Sequence, residues 1–248
     1  MTDRFLVRAR LRRDLAAAAL APLLVPSDSG GKVGAAHRLV WALFADGPDR
    51  RRDFLWRQTR PGEFLILAAR PPADPHGLFT LDYKPFAPAL REGQRLQFDL
   101  RANPVVALAS AGSGRRGRRK DVVTRAIAGL PPEPCPDRRR ARRWAASREA
   151  AAAWLAAQGA RHGFAPDLDA ERLRIDGEDW VRIPRDDGRT VTFLAVTFQG
   201  VLTVQDPARF LARLPLGFGA AKAFGCGLML IRRAPGSPRT SSWGSPPA

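Results

Sequence analysis

Cysteine, histidine, tyrosine and lysine are all scarce in this 248-residue chain. The two cysteines, Cys135 and Cys226, follow neither a pairing pattern nor a metal-ligand spacing, so a disulfide framework is excluded and a reducing cytoplasm is the expected setting. The three histidines, His37, His76 and His162, never fall at ligand spacing, and neither HExxH nor CxxC occurs; no metal site built on His and Cys is expected, and no cofactor. No run reaches the roughly 18 apolar residues of a membrane span, and Leu15–Val25 is short and holds Pro22. The first residues, Met-Thr-Asp-Arg-Phe-Leu-Val-Arg, lack an apolar export core and a cleavage site, so no membrane partner is expected. Acid is scarce too: 24 Asp and Glu face 41 Lys and Arg, for a net charge of +17.

Lysine stands only at Lys32, Lys84, Lys120 and Lys222, so the positive charge is mostly arginine. A GC-rich coding bias explains arginine in place of lysine, but it explains the excess of charge less well. Arginine's planar fork grips phosphate bidentately and stacks on bases, and a strongly basic globular chain is the footprint of a nucleic-acid binder. A hydrophobic fraction of 45% is ample for a folded core.

Periodicity organises the chain. Phe5–Arg12 alternates as a strand with one apolar and one basic face. Asp14–Leu24 reads as helix, Ser27–Gly31 as loop and Ala36–Phe44 as helix. Asp53–Arg57 and Phe64–Ala68 form a hairpin about Arg60-Pro-Gly62, and Arg95–Arg101 is an alternating strand. Residues 111–120 form a glycine-basic loop, and Pro131–Asp137 is a break. Arg138–Gly163 is a long helix with an apolar stripe of Trp144, Ser147, Ala151, Trp154 and Leu155. Glu171–Ile175 and Asp179–Ile183 are short strands, and the Asp-Gly of Arg185-Asp-Asp-Gly-Arg189 marks a hairpin turn. Thr190–Phe198 and Val201–Val204 are strands with a bulge or kink at Gly200. Asp206-Pro207 starts a helix whose Phe210, Leu211 and Leu214 face inward. Leu228–Arg232 closes the fold, and the tail beyond Arg233 is expected to be disordered.

The two halves share this pattern. The fold class expected is therefore α+β, as tandem ferredoxin-like (RRM-like) domains. The bounds are 1–105 and 138–233, with a basic, proline-rich connector at 106–137 and a tail at 234–248. An RNP1 signature is absent, so neither domain is an ordinary base-stacking RNA recognition motif.

The sharpest local feature is Gly217-Phe-Gly-Ala-Ala-Lys-Ala-Phe-Gly-Cys-Gly227. Glycines let a backbone approach phosphate closely and turn its N–H groups outward. A dinucleotide fingerprint needs a strand before and a helix after, which is the reverse of what stands here, and Lys222 lies between alanines rather than in a Gly-Lys-Ser/Thr loop. A phosphate cradle and a tight helix-to-strand connection both remain open.

Three blocks together resemble the CRISPR repeat-processing endoribonucleases of the CasE branch found in type I-E Cascade: Leu216–Leu228, Lys84–Pro104, and His37–Phe44 ahead of Arg51–Trp56. The resemblance covers nearly the whole chain up to about Ile231. It implies tandem ferredoxin-like domains, metal-independent cleavage of the repeat hairpin by 2′-OH attack, and retention of the cut RNA beside the other Cascade subunits. His37 falls on that family's catalytic histidine, and histidine suits proton transfer near neutral pH. Where such enzymes often carry a tyrosine three residues earlier, this chain has Gly34, and its only tyrosine is Tyr83. Lys32, Ser27 and Ser29 stand near enough to substitute; otherwise activity is reduced or the chain is an RNA-hairpin-binding subunit. The expected RNA contacts are Arg38 and Lys32, Arg101, the loop residues Arg115, Arg116, Arg118, Arg119 and Lys120, the hairpin residues Arg182, Arg185 and Arg189, and Gly217, Gly219, Lys222 and Gly225 of the glycine segment.

Overall fold

The structure is a computed structural model that describes residues 4–12, 29–44, 51–107, 119–184 and 188–235. The expected helix at Asp14–Leu24, the loop residues Arg115, Arg116 and Arg118, Arg185, and the tail from residue 236 lie outside the described residues.

Two antiparallel sheets organise the chain. The first has the order β2-β3-β1-β4, from β1 (Phe5–Leu11), β2 (Phe54–Arg60), β3 (Glu63–Ala68) and β4 (Phe79–Pro85). Alternation in β1 sends Val7 and Ala9 into the core and leaves Arg8 and Arg10 outside. Both arginines pair with Asp82 of β4, at 3.1 and 2.8 Å. Helix α1 (Ser29–Ala42) covers this sheet through Ala36, Leu39, Val40 and, just beyond its end, Leu43.

The second sheet has the order β11-β5-β10-β8, from β5 (Arg95–Ala102), β8 (Phe164–Pro166), β10 (Thr190–Val204) and β11 (Met229–Arg233), and β9 (Arg174–Pro184) also pairs with β10. The long helix α2 (Pro136–His162) packs on it through Ser147, Ala151, Trp154 and Leu155. A short helix at Val122–Ala128, capped by Asp121, leans on α2, and β6 (Val105–Ala107) pairs with β7 (Arg119–Asp121) in a small ribbon. Asp206 caps helix α3 (Pro207–Arg213) by accepting from Arg209 N at 3.0 Å.

Several local expectations shift. Helix α1 begins at Ser29 and runs through the Gly30-Gly31 pair expected to be loop; packing of its body outweighs about 1 kcal/mol of helix cost per glycine. Arg119 and Lys120 are strand residues rather than loop. The two short strands expected at Glu171–Ile175 and Asp179–Ile183 are one strand, β9, which starts at Arg174 and pairs along β10 with one register shift. Gly200 is no bulge against β5: it pairs in register with Phe98, and the irregularity lies between Ala195 and Thr197 on the β9 side. Trp144 is 61% exposed and does not belong to the buried stripe of α2. By sheet membership, β5 goes with the second half, between β10 and the closing strand β11, so the sheets divide between Pro85 and Arg95.

The sheets are joined by Leu55 and Leu67 of the first against Leu228 of the second, and by the ion pair of Arg57 with Asp99. The glycine segment sits at this junction.

Candidate RNA-cleavage site

His37 lies in the middle of α1, on the turn that faces the second sheet. The helix meets β9 and the 3₁₀ turn Lys222–Phe224 inside the glycine segment. The imidazole packs 5.8 Å, centroid to centroid, from the Phe224 ring and 6.3 Å from that of Trp41. Phe224 in turn stacks on Phe193 at 5.8 Å, which anchors the turn to β10. Trp56 of β2 fixes it from the other side by donating its indole N–H to the Ala223 carbonyl at 3.1 Å. The histidine and the glycine segment, some 180 residues apart in sequence, therefore form one site.

His37 Nδ1 is buried with no hydrogen-bond partner. The ring's pKa is lowered from the ordinary 6.5, first by burial and then by the charges of Arg52 and Arg38, with the Ala223 carbonyl pulling the other way. His37 is thus neutral at pH 7 and able to take a proton.

The surroundings are cationic. Arg52, just before β2, is half-buried and forms no ion pair among the described residues; its pKa is lowered by desolvation, and its charge acts on both His37 and Lys222. Lys222 is brought to about 8 by burial and by the charges of Arg213, Arg52 and Arg119. It donates to the Leu216 carbonyl at 2.6 Å, a neutral partner. Arg213 lies over the Phe218 ring at 5.5 Å with its Nε buried and unpartnered. A partly desolvated cation without a carboxylate is costly, and three of them together, Lys222, Arg52 and Arg213, make a place that an anion stabilises. Arg52 stands in the Arg51–Trp56 block, but neither it nor Arg213 stands out in the sequence as a site residue, because only the fold brings them to Lys222.

The glycine segment is closely packed, and part of its backbone bonds internally. Gly217, Gly219, Gly225 and Gly227 all adopt positive φ, 69 to 93°. A Cβ on Gly217 would stand 2.8 Å from Leu55 Cδ1, one on Gly219 would run into the Asn103 carbonyl oxygen, and one on Gly225 would press on the Trp56 ring at 3.3 Å. The N–H groups of Phe218, Ala220 and Gly227 bond internally to Gly227, Asn103 and Arg101 carbonyls at 3.0, 3.0 and 2.7 Å. The segment is a packed connection that carries Lys222 and Phe224. Ala221, at φ 51°, is the only non-glycine residue with positive φ among those described, and it aims this turn.

The other expected contacts are spread around this centre. Arg38 is exposed one turn from Gly34, its Nη1 3.7 Å from where a Gly34 Cβ would be. Lys32 is on α1, with its side chain outside the description. Arg101 is ion-paired with Asp179 at 2.8 Å. Arg119 and Lys120 are exposed on β7, and Arg182 is exposed on β9, opposite Thr192. Arg189 is exposed where β10 begins. No group of three or more His, Cys, Asp or Glu suited to a metal occurs among the described residues. Cys226 is buried, which pushes its thiol up to about 11 and makes it inert. No helix among the described residues is long and apolar enough to cross a membrane.

The chain resembles known proteins over most of its length. Over 152 residues the chain is 34% identical to the CRISPR-associated endoribonuclease Cse3 of Thermus thermophilus, covering 60% of each protein. It is 27% identical over 202 residues to the CRISPR system Cascade subunit CasE of Escherichia coli, covering 79% of this chain and 89% of that one. Its structure matches that of Cse3 endoribonuclease bound to a 19-nucleotide RNA with a TM-score of 0.64 and 27% identity, over 94% of this chain and 99% of the other. The fold in common is the α+β, tandem ferredoxin-like one. The model of the CRISPR associated protein family matches residues 4–233, and the chain belongs to that family.

Proposed function

We propose that this protein is the CasE-type endoribonuclease of a Cascade complex. It binds CRISPR precursor RNA, cuts it at the repeat hairpin and keeps the mature RNA in company with the other Cascade subunits. The observation that carries the reading is the His37 imidazole packed against Phe224 of the glycine segment, among Arg38, Arg52 and Lys222. Such cations hold and neutralise a phosphate, while His37 moves the proton of a 2′-OH that attacks the adjacent phosphorus. The P–O5′ bond breaks as the P–O2′ bond forms, and the leaving O5′ takes a proton from solvent or from the His37 imidazolium, leaving a cyclic phosphate and a 5′-OH. We place the RNA stem along the exposed arginines of β9 and β10, Arg182 and Arg189, with Arg119 and Lys120 as further backbone contacts. The domains would divide in the 86–94 stretch ahead of β5, and the working place would be the cytoplasm.

The test is cleavage of a repeat hairpin in EDTA, with the product ends mapped. A 2′,3′-cyclic phosphate opposite a 5′-OH is expected; a 3′-OH product, or no cleavage, would sink the mechanism.

The pH dependence has a definite sign. Burial and Arg52 lower the His37 pKa, so the acid limb of kcat/KM should fall below pH 6.5. Removing a positive neighbour favours protonation, so Arg52→Gln should move that limb upward as well as weaken RNA binding. A limb that stays put would detach Arg52 from His37.

Gly34 favours a second reading, a hairpin-binding subunit that cuts slowly. A Cβ there would meet only Arg38 Nη1 at 3.7 Å and Ile183 Cγ2 at 3.9 Å, ordinary contacts that leave room for a side chain. Gly34→Tyr should therefore fold and, on this reading, raise the single-turnover rate by about tenfold or more, as a gained proton-transfer or orienting group does. An unchanged rate would show that the role is already filled.

A further inference from the structure

A groove of ≈ 540 Å³ lies away from His37, between the N-terminal half of α2 and the start of β9. Its lining includes Arg139, Arg140, Arg143, Arg148, Trp144 and Asp176. Trp144 is 61% exposed, and the Arg148 guanidinium lies over its ring, 4.8 Å from the centroid. Arg148 is held there by the Leu173 and Ile175 carbonyls, both at 3.3 Å, and Arg139 by the Glu133 and Pro134 carbonyls, both at 3.0 Å. Those carbonyls are neutral, so neither charge is cancelled. Arg140 and Arg143 are exposed and form no ion pair among the described residues. The one carboxylate in this set, Asp176, is taken by Arg174.

From this we infer that the groove is a second RNA site, which takes the single strand continuing from the hairpin. The inference rests on the RNA-binding reading above. An unpaired base stacks on Trp144, and Arg140 and Arg143 contact the backbone on either side. Base stacking on an exposed aromatic beside unpaired arginines is how single strands are held without sequence readout. Position agrees with this. Asp176 and Ile183 are seven residues apart on β9, roughly 23 Å at strand rise, and Ile183 abuts Gly34 in the turn before His37. The groove and the cutting site lie on opposite faces of the second sheet, with Val181 and Ile183 packed on the α1 side and Val196 on the α2 side. An RNA strand leaving the cutting site therefore reaches the groove by rounding the outer edge of β9, which pairs only with β10 among the described residues. An acidic protein segment would also meet this charge, but it gives no reason for a tryptophan platform with arginine stacked upon it.

The test uses the full chain and two uncleavable RNAs, the repeat hairpin alone and the same hairpin with a single-stranded extension of about eight nucleotides. Trp144→Ala, and separately Arg140→Gln with Arg143→Gln, should weaken the extended RNA about tenfold while hairpin affinity holds within about twofold. Trp144→Phe should restore most of the loss, and the double arginine change should lower the salt slope of the extended RNA by about 1.4. Equal weakening of both RNAs, or of neither, overturns the proposal. So does a loss confined to binding of polyglutamate, which would make the groove a protein-docking face. Wild-type protein that binds neither RNA overturns the underlying reading itself.

Discussion

His37→Ala should abolish most cleavage while leaving RNA bound. General acid–base catalysis by a placed side chain contributes about 10²- to 10⁴-fold, so a single-turnover loss in that range is expected. Hairpin affinity should stay within about twofold, because phosphate binding lies with the surrounding cations rather than with the neutral ring. The imidazole packs on Trp41 and Phe224, so truncation to alanine also loosens α1 against the glycine segment. His37→Gln, which keeps more of that volume, separates the two effects: it should lose the same activity at nearly wild-type stability. Cleavage surviving both changes would remove His37 from the chemistry.

The second large effect is on folding. Gly219→Ala should destabilise the protein by about 3–5 kcal/mol, because the residue needs φ of 75° and because its Cβ would collide with the Asn103 carbonyl. At about 2–4 °C per kcal/mol for a chain of this size, the melting temperature should fall by roughly 10 °C. Gly93→Ala is the control. It has the same φ of 75° with nothing within 4 Å of the added carbon, so only the backbone cost, about 1–2 kcal/mol, should appear. Equal losses at the two positions would mean that packing in the glycine segment is not what its glycines serve. Thermal melts of the two variants decide this without any RNA.

Much of this was legible locally. The alternation in Phe5–Leu11, the Arg60-Gly62 turn, the Asp206-Pro207 cap and the long amphipathic helix carry their own signals, and each forms where its pattern says. Non-local pairing decided the rest. Nothing within Arg95–Ala102 says that it pairs with β10 and β11 rather than with its neighbours in sequence. The two short strands read at Glu171–Ile175 and Asp179–Ile183 join through a register shift at Gly177, a junction that only the pairing with β10 shows. Trp144 continues the spacing of the helix stripe but has only the groove in front of it. His37 was readable through its chemistry and the family resemblance. Its contact with Phe224, and the gathering of Arg52 and Arg213 around Lys222, depend on how the two sheets meet. The glycines were singled out for phosphate binding, and the packing that their positive φ and missing Cβ permit depends on Leu55, Asn103 and Trp56, which are distant in sequence.

The central claim is that His37 and the Lys222–Phe224 turn form one cutting site. The most direct measurement is a crystal structure of the protein with a repeat hairpin whose attacking 2′-OH is replaced by hydrogen. The scissile phosphate should lie within reach of the His37 imidazole, about 3 Å or one water away, with Arg52 or Lys222 on its oxygens. A scissile phosphate held elsewhere, with His37 still packed and untouched beneath Phe224, would contradict it.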